Sequence, residues 1–205
     1  MINLPIELSL LSGADVQILE DTYSALRAKF NIGLECNLHF DINKFELTAN
    51  PDTKIGGMIS VNSTAPFHLV FMRKLYRASE AKGGIEREWY KYSVCAVIDL
   101  KTDFGRILIR RETFNDRLVA LLHPCEMKFP DDKPFEHKFY VVTNDDTKAH
   151  LAMNWNFRNA VMEMGDNLML ETDNKTLIIS DQMTVDVNQT VQLVEFANKI
   201  AALQI

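Results

Sequence analysis

The sequence predicts an α+β fold, with a mainly antiparallel sheet and helices packed on it. Three observations carry that reading. Apolar and polar residues alternate along Leu34–Ile42, Tyr90–Leu100 and Lys138–Thr143, the period of a strand with one buried face. Apolar residues recur at spacings of three and four over 15–30, 146–164 and 187–201, the period of a helix. From Glu136 to Leu203 the chain reads strand, helix, strand, strand, helix without a break.

The elements follow in order. Val16, Leu19, Tyr23, Leu26 and Phe30 form one apolar stripe, and Ser12 with Asp15 resembles a capping signal ahead of it. Asn31-Ile32-Gly33 ends that helix. Leu34, Cys36, Leu38, Phe40 and Ile42 make the first strand, with Phe45 and Leu47 in a hairpin partner. Asn50-Pro51-Asp52 is a turn, and Gly56-Gly57 leads into a short strand over 58–61. Phe67–Tyr76 is apolar and then basic. Tyr90, Tyr92, Val94, Ala96, Ile98 and Leu100 share one face of the longest strand. Asp103-Phe104-Gly105 then turns the chain into Arg106–Arg111, as an antiparallel hairpin. Asn115–Leu122 reads as a short helix. His123–Pro134, with three prolines, is an irregular connection.

After it come a strand over Lys138–Thr143 and one helix over 146–164, capped by Asn144 or Asp145 and ended by Gly165. Asn167–Thr172 and Thr176–Ser180 form a hairpin around Asp173-Asn174-Lys175. Asp186 and Gln189 have capping spacing for the last helix. The domain reading is one unit over 1–205, with two small lobes, 1–122 and 135–205, as the alternative.

Composition bounds the function. A chain of 205 residues is long enough for a core without staples. A net charge of −6 argues against a dedicated nucleic-acid binder. Three scattered cysteines, with no CxxC pair, fit reduced thiols and a cytoplasmic setting. The N-terminus lacks the basic and apolar regions of a signal peptide, and no window approaches the ~20 apolar residues of a membrane span.

The block Phe135-Glu-His-Lys-Phe-Tyr-Val-Val-Thr-Asn-Asp-Asp, followed by a helix, two short strands and a terminal helix, resembles part of a known group. It is similar to the C-terminal half of a set of uncharacterised bacterial domains. Those domains carry an F-x-x-x-F/Y-x-V strand, an acidic turn, a helix and a Leu-rich hairpin. The resemblance spans the chain from about position 91 onward. It implies the α+β fold and no active residue. Members often follow transmembrane segments, and this chain departs from them there.

Candidate chemistry is sparse. His123-Pro124-Cys125-Glu126 holds ligand-capable groups without a matching second cluster. Cys95 or Cys125 with His39, His68 or His137 lacks a nucleophile signature. Asp103, Asp145 and Asp146 read as turn and cap residues, and Asp131-Asp132 as a solvated loop. No phosphate-binding glycine loop, GxSxG or HExxH occurs.

The stronger feature is a basic and aromatic region. Arg73, Lys74, Arg77, Lys82, Arg87 and Lys91 interleave with Tyr76, Trp89, Tyr90 and Tyr92. Arg106, Arg110 and Arg111 join them if 90–100 and 106–111 pair. Such groups grip anions or nucleic acid, or form a solvated sheet face. Trp155 lies off the main stripe of its helix, beside Leu151 and Met162. Burial on two sides of that helix is the expectation, with an exposed strip for a partner as the alternative.

The resulting expectation is a non-enzymatic protein-binding or assembly module without cofactor. Its candidate binding residues are Arg73, Arg77, Trp89, Arg106, Arg110, Arg111 and Trp155, and its partner is an unidentified protein. One alternative is an enzyme with a dispersed site around His123, Cys125, Asp131 and Glu136. The other is recognition of nucleic acid or another anion through 73–111.

Overall fold

The computed structural model describes residues 4–34, 41–78, 87–112, 126–181 and 183–203. The strand expected over 34–42 and the helix over 115–122 fall largely or wholly outside them, as do Cys36, His39, Lys82, His123 and Cys125.

The described residues form an α+β fold built on one eight-stranded antiparallel sheet. Its strands are β1 (Ile32–Gly33), β2 (Thr53–Val61), β3 (Phe67–Ala78), β4 (Arg87–Asp99), β5 (Arg106–Arg111), β6 (Phe139–Thr143), β7 (Leu168–Asp173) and β8 (Thr176–Asp181). Their order across the sheet is β1-β2-β3-β4-β8-β7-β5-β6. Strands from both sides of the proline-rich connection therefore share one sheet.

The helices are α1 (Gly13–Lys29), α2 (Lys133–Lys138), α3 (Asp146–Ala152), α4 (Trp155–Val161) and α5 (Val187–Ala202). Caps set their starts. The Ser12 hydroxyl accepts from the Asp15 N–H at 3.1 Å, and the Asp186 carboxylate accepts from the Gln189 N–H at 3.0 Å. Each such cap satisfies an orphan amide and stabilises by about 1 kcal/mol.

One sheet face carries the main core. Ile59, Leu69, Phe71, Val94, Ala96, Ile98, Ile107, Ile109, Leu170, Leu177 and Ile179 belong to a buried cluster with Leu19, Tyr23 and Leu26 of α1 and Leu193, Val194, Ala197 and Ile200 of α5. Burying each large side chain contributes roughly 1.5–3 kcal/mol. On the other face Val70, Met72, Cys95, Val97 and Ile178 form a smaller cluster with Phe45. The long strand β4 is thus apolar on both faces in its second half.

Four local expectations are corrected. Residues 90–100 and 106–111 do not pair. Instead the β7–β8 hairpin stands between them, with β8 on β4 and β7 on β5. The connection is no tight turn, because Leu100 and Phe104 are buried and its backbone bonds to the β7–β8 turn. The Leu100 N–H donates to the Lys175 carbonyl at 2.7 Å and the Phe104 N–H to that of Asn174 at 2.9 Å. Gly105 completes the bend at φ +65°, a conformation that glycine adopts without strain.

Second, the helix expected over 146–164 is two helices. Asn154 caps α4 by accepting from the Phe157 N–H at 3.1 Å, so a polar side chain competes with the helix backbone at the junction. Asn156, placed on the packed stripe by the longer helix, is exposed. Third, 45–48 is a turn and not a strand. The Glu171 carboxylate holds it there by accepting from the Glu46 and Leu47 N–H groups, each at 2.9 Å. Fourth, β2 begins at Thr53, ahead of the glycine pair. A side chain at Gly56 would collide with the Tyr92 ring, so glycine lets that tyrosine reach the Glu7 carbonyl.

Candidate functional site

The sheet order divides the basic region in two. Arg73, Arg77 and Trp89 belong to β3 and β4. Arg106, Arg110 and Arg111 lie on β5, beyond β8 and β7. Four adjacent strands spaced about 4.8 Å apart put roughly 14 Å between the β4 and β5 backbones.

Most of the arginines have internal partners. Arg73 pairs with Glu7 and stacks over the Tyr90 ring, its guanidinium carbon 4.8 Å from the centroid. The Ser9 hydroxyl and Arg73 hold Glu7 below the usual carboxylate range. Arg77 bridges Glu88 at 2.8 Å and Asp52 at 3.4 Å. The Glu88 hydrogen bond raises the Arg77 pKa. Arg106 reaches the buried Glu171 at 3.1 Å and Glu46 at 3.4 Å. Arg111 donates to the Met164 carbonyl at 2.7 Å and to Asp166 at 2.8 Å, with its guanidinium on the Phe139 ring. Arg110 stacks on Tyr140 at 4.9 Å.

The acidic suspects around 131–136 are likewise occupied. The turn at Asp131 is solvent-exposed, as expected, but its carboxylate and that of the half-buried Asp132 also hold Arg158. Its Nη2 donates to Asp131 at 2.7 Å, its Nε to Asp132 at 2.9 Å and its Nη1 to the Met153 carbonyl at 2.9 Å. The guanidinium also lies 5.2 Å from the Phe129 ring centroid. Asp132 caps α2 through the Phe135 N–H. Glu136 accepts from the Phe129 N–H at 3.2 Å and pairs with Lys133. Asp103 pairs with Lys148 at 2.6 Å, and that hydrogen bond lowers its pKa. Asp145 caps α3.

Arg158 was not among the candidates read from the sequence. Its one signal is placement, since it lies three before Val161 on a stripe that faces the core. Among the described residues no three His, Cys, Asp and Glu side chains gather as metal ligands would. Cys95 is fully buried in the sheet, which pushes its thiol up to about 12. A thiol so protonated is a poor nucleophile.

Two features stand apart from this pairing. Trp155, at the start of α4, is 65% exposed, and Leu151 of α3 is 75% exposed. Burial of the Trp155 side of the helix is therefore corrected, because the break at Met153–Asn154 ends the continuous stripe. Second, β3 and β4 outrun their neighbours. β2 follows β3 only as far as Lys74, and β8 follows β4 only from Cys95. Tyr76 and Trp89 stack on the projecting ribbon, with ring centroids 5.9 Å apart. At its base a cleft of about 230 Å³ opens between 46–50 on one side and Asp181, Met183 and Thr184 on the other. A larger cleft of about 440 Å³, between α5 and the ends of β7 and β8, is lined by paired groups such as Lys199 with Glu163 at 2.5 Å. Asp181, buried at the margin of both clefts, has its pKa raised by desolvation.

No helix among the described residues is long and apolar enough to cross a membrane. No family model and no curated protein matches the chain. Among solved structures, that of the mycobacterial trehalose monomycolate transport factor A, TtfA, is 8% identical. It gives a TM-score of 0.47, with 89% of this chain and 91% of that chain covered. A likeness at that level carries no functional argument.

Proposed function

We propose that this protein is a non-enzymatic protein-binding or assembly module, with Trp155 and Leu151 in its contact surface. The carrying observation is the exposure of these two large apolar side chains, 65% and 75%, on either side of the corner between α3 and α4. Asn154 caps the corner, and the Arg158 guanidinium bonds its Met153 carbonyl. A tryptophan held on a pre-organised backbone loses little entropy on binding, and tryptophan is enriched among residues that dominate interface energies. The carboxylates of Asp131 and Asp132 are engaged by Arg158, and that of Asp132 also by the Phe135 N–H, which supports contact over catalysis.

A reducing, cytoplasmic setting belongs to the same reading, supported by the free and buried Cys95 thiol. So does kinship with the bacterial domains that the 135–146 block resembles.

The test is a photo-crosslinking amino acid at position 151, with position 159 as an exposed control on α4, in cells that make the protein naturally. A discrete adduct from 151, absent from 159 and lost with Trp155→Ala, is expected. Equal adduct patterns from both positions, or an adduct indifferent to Trp155→Ala, would overturn the proposal.

A further inference from the structure

Lys74 and Lys91 stand directly opposite one another on β3 and β4, and both line the cleft of about 230 Å³. Residues paired in this way on an antiparallel sheet have their Cβ atoms about 4.5–5.5 Å apart, and like charges there repel. Both lysines are exposed. Neither has a carboxylate partner among the described residues. The Lys74 ammonium lies 5.5 Å from the Tyr76 ring centroid. The cleft itself holds two carboxylates, Glu46 and Asp181, and among the described residues neither pairs with a lysine.

Protection of a sheet edge does not account for the pair. On one side β2 continues alongside β3 to Lys74. On the other, the β4 backbone beside Lys91 is closed by Tyr90 N–H to the Leu10 carbonyl and by Val185 N–H to the Tyr92 carbonyl. The lysines crown a cleft and not an open edge.

The remaining walls are polar. Thr53, Ser93 and Thr184 bring hydroxyls, Asn50 an amide, and Glu46 and Asp181 carboxyl groups. A volume of about 230 Å³ equals the liquid volume of about seven or eight waters, so it fits a compact metabolite. The two acids disfavour a polyanion.

We propose that this cleft binds a small organic anion, a carboxylate or phosphate ester, with its charged group between Lys74 and Lys91. A donor elsewhere on the ligand, a hydroxyl or ammonium, meets Asp181. The anion removes the repulsion between the lysines, so part of its binding energy is already present in the free protein as strain between charges.

The chain has two tryptophans, so Trp155→Phe leaves Trp89 as sole reporter, stacked on the ring that Lys74 covers. In that background inorganic phosphate, succinate and O-phosphoethanolamine are titrated at constant ionic strength against sodium chloride. A saturable change in Trp89 emission is expected with at least one probe. Lys74→Ala or Lys91→Ala weakens it about tenfold or more, the loss of one charge-assisted hydrogen bond. Each lysine variant keeps or raises the melting temperature, which separates lost binding from lost folding.

A response to phosphate and O-phosphoethanolamine alone names phosphate esters, and one to succinate alone names carboxylates. Asp181→Asn should remove any preference for O-phosphoethanolamine over phosphate. No saturable response to any probe, or unchanged affinity in both lysine variants, overturns the proposal. Tighter binding of a single-stranded oligonucleotide than of all three probes also overturns it, in favour of nucleic acid.

Discussion

Replacing Arg158 by methionine should be among the most damaging single changes outside the main core. The Arg158 side chain is only 8% exposed and makes three charge-assisted hydrogen bonds. The contact to Asp131 is worth little, because that carboxylate is 67% exposed and screened. The contact to Asp132, 19% exposed, is worth more, about 2 kcal/mol. The Met153 carbonyl would lose its guanidinium partner, at about 1–2 kcal/mol, and the Phe129 contact adds about 1. Methionine recovers part of the packing. The net loss is about 3–4 kcal/mol, within the range for removing one partner of a buried ion pair. For a chain of this size that lowers the melting temperature by roughly 6–16 °C. Thermal and urea unfolding of wild type, Arg158→Met and Asp131→Asn would measure it. Asp131→Asn should lose under about 1 kcal/mol. An Arg158→Met variant within about 1 kcal/mol of wild type would refute the clamp, since only exposed pairs are worth so little.

Glu171→Gln leaves Arg106 without its buried carboxylate and should lose about 2–4 kcal/mol. Hydrogen exchange at the Glu46 and Leu47 amides should quicken in that variant, and unchanged exchange would contradict the role given to Glu171. Asp181→Asn should raise stability at pH 7, because burial penalises the native carboxylate and raises its pKa above 3.8. As pH falls through that raised pKa towards 3.8, native Asp181 takes up its proton before the unfolded chain does. Wild type then recovers, so the advantage of asparagine should shrink in urea melts over that window. Tyr92, raised by burial to about 12 from 10.0, stays neutral in the native state while the unfolded chain ionises. Tyr92→Phe should be about 1 kcal/mol less stable at pH 7, through the lost bond to the Glu7 carbonyl. That deficit should shrink as pH rises from 10 to 12, measured as the difference between the two proteins.

What could be read in the chain was what local forces decide. The α1 stripe and its Ser12 cap, the β7–β8 hairpin, and α5 behind Asp186 all appear where periodicity and capping place them. Each depends on residues within a few positions of one another. The β4–β5 pairing failed because strand partners are chosen by burial across the whole sheet. Leu170 and Ile179 are paired and fully buried on the core face, which puts their hairpin in the sheet interior. The helix over 146–164 failed at one residue, Asn154, whose cap outweighed a continuous stripe. For the candidate site, Arg73, Arg77 and Trp89 do share one ribbon with Lys74 and Lys91. The β5 arginines do not, and the partners of Arg106 and Arg111, among them Glu171 and Asp166, lie far away in sequence, so no local pattern announces them.

The position of the β7–β8 hairpin underlies both the separation of the arginines and the isolation of the lysine pair. Asp99, Thr176, Asp173 and Arg106 stand in one row across β4, β8, β7 and β5. Cysteines at 99 and 176 should close a disulfide under mild oxidation, since paired positions lie within its reach. Cysteines at 99 and 106, three strand spacings or roughly 14 Å apart, should stay reduced in the folded protein. Ready closure of 99 to 106, with 99 and 176 remaining open, would contradict this strand order and everything built on it.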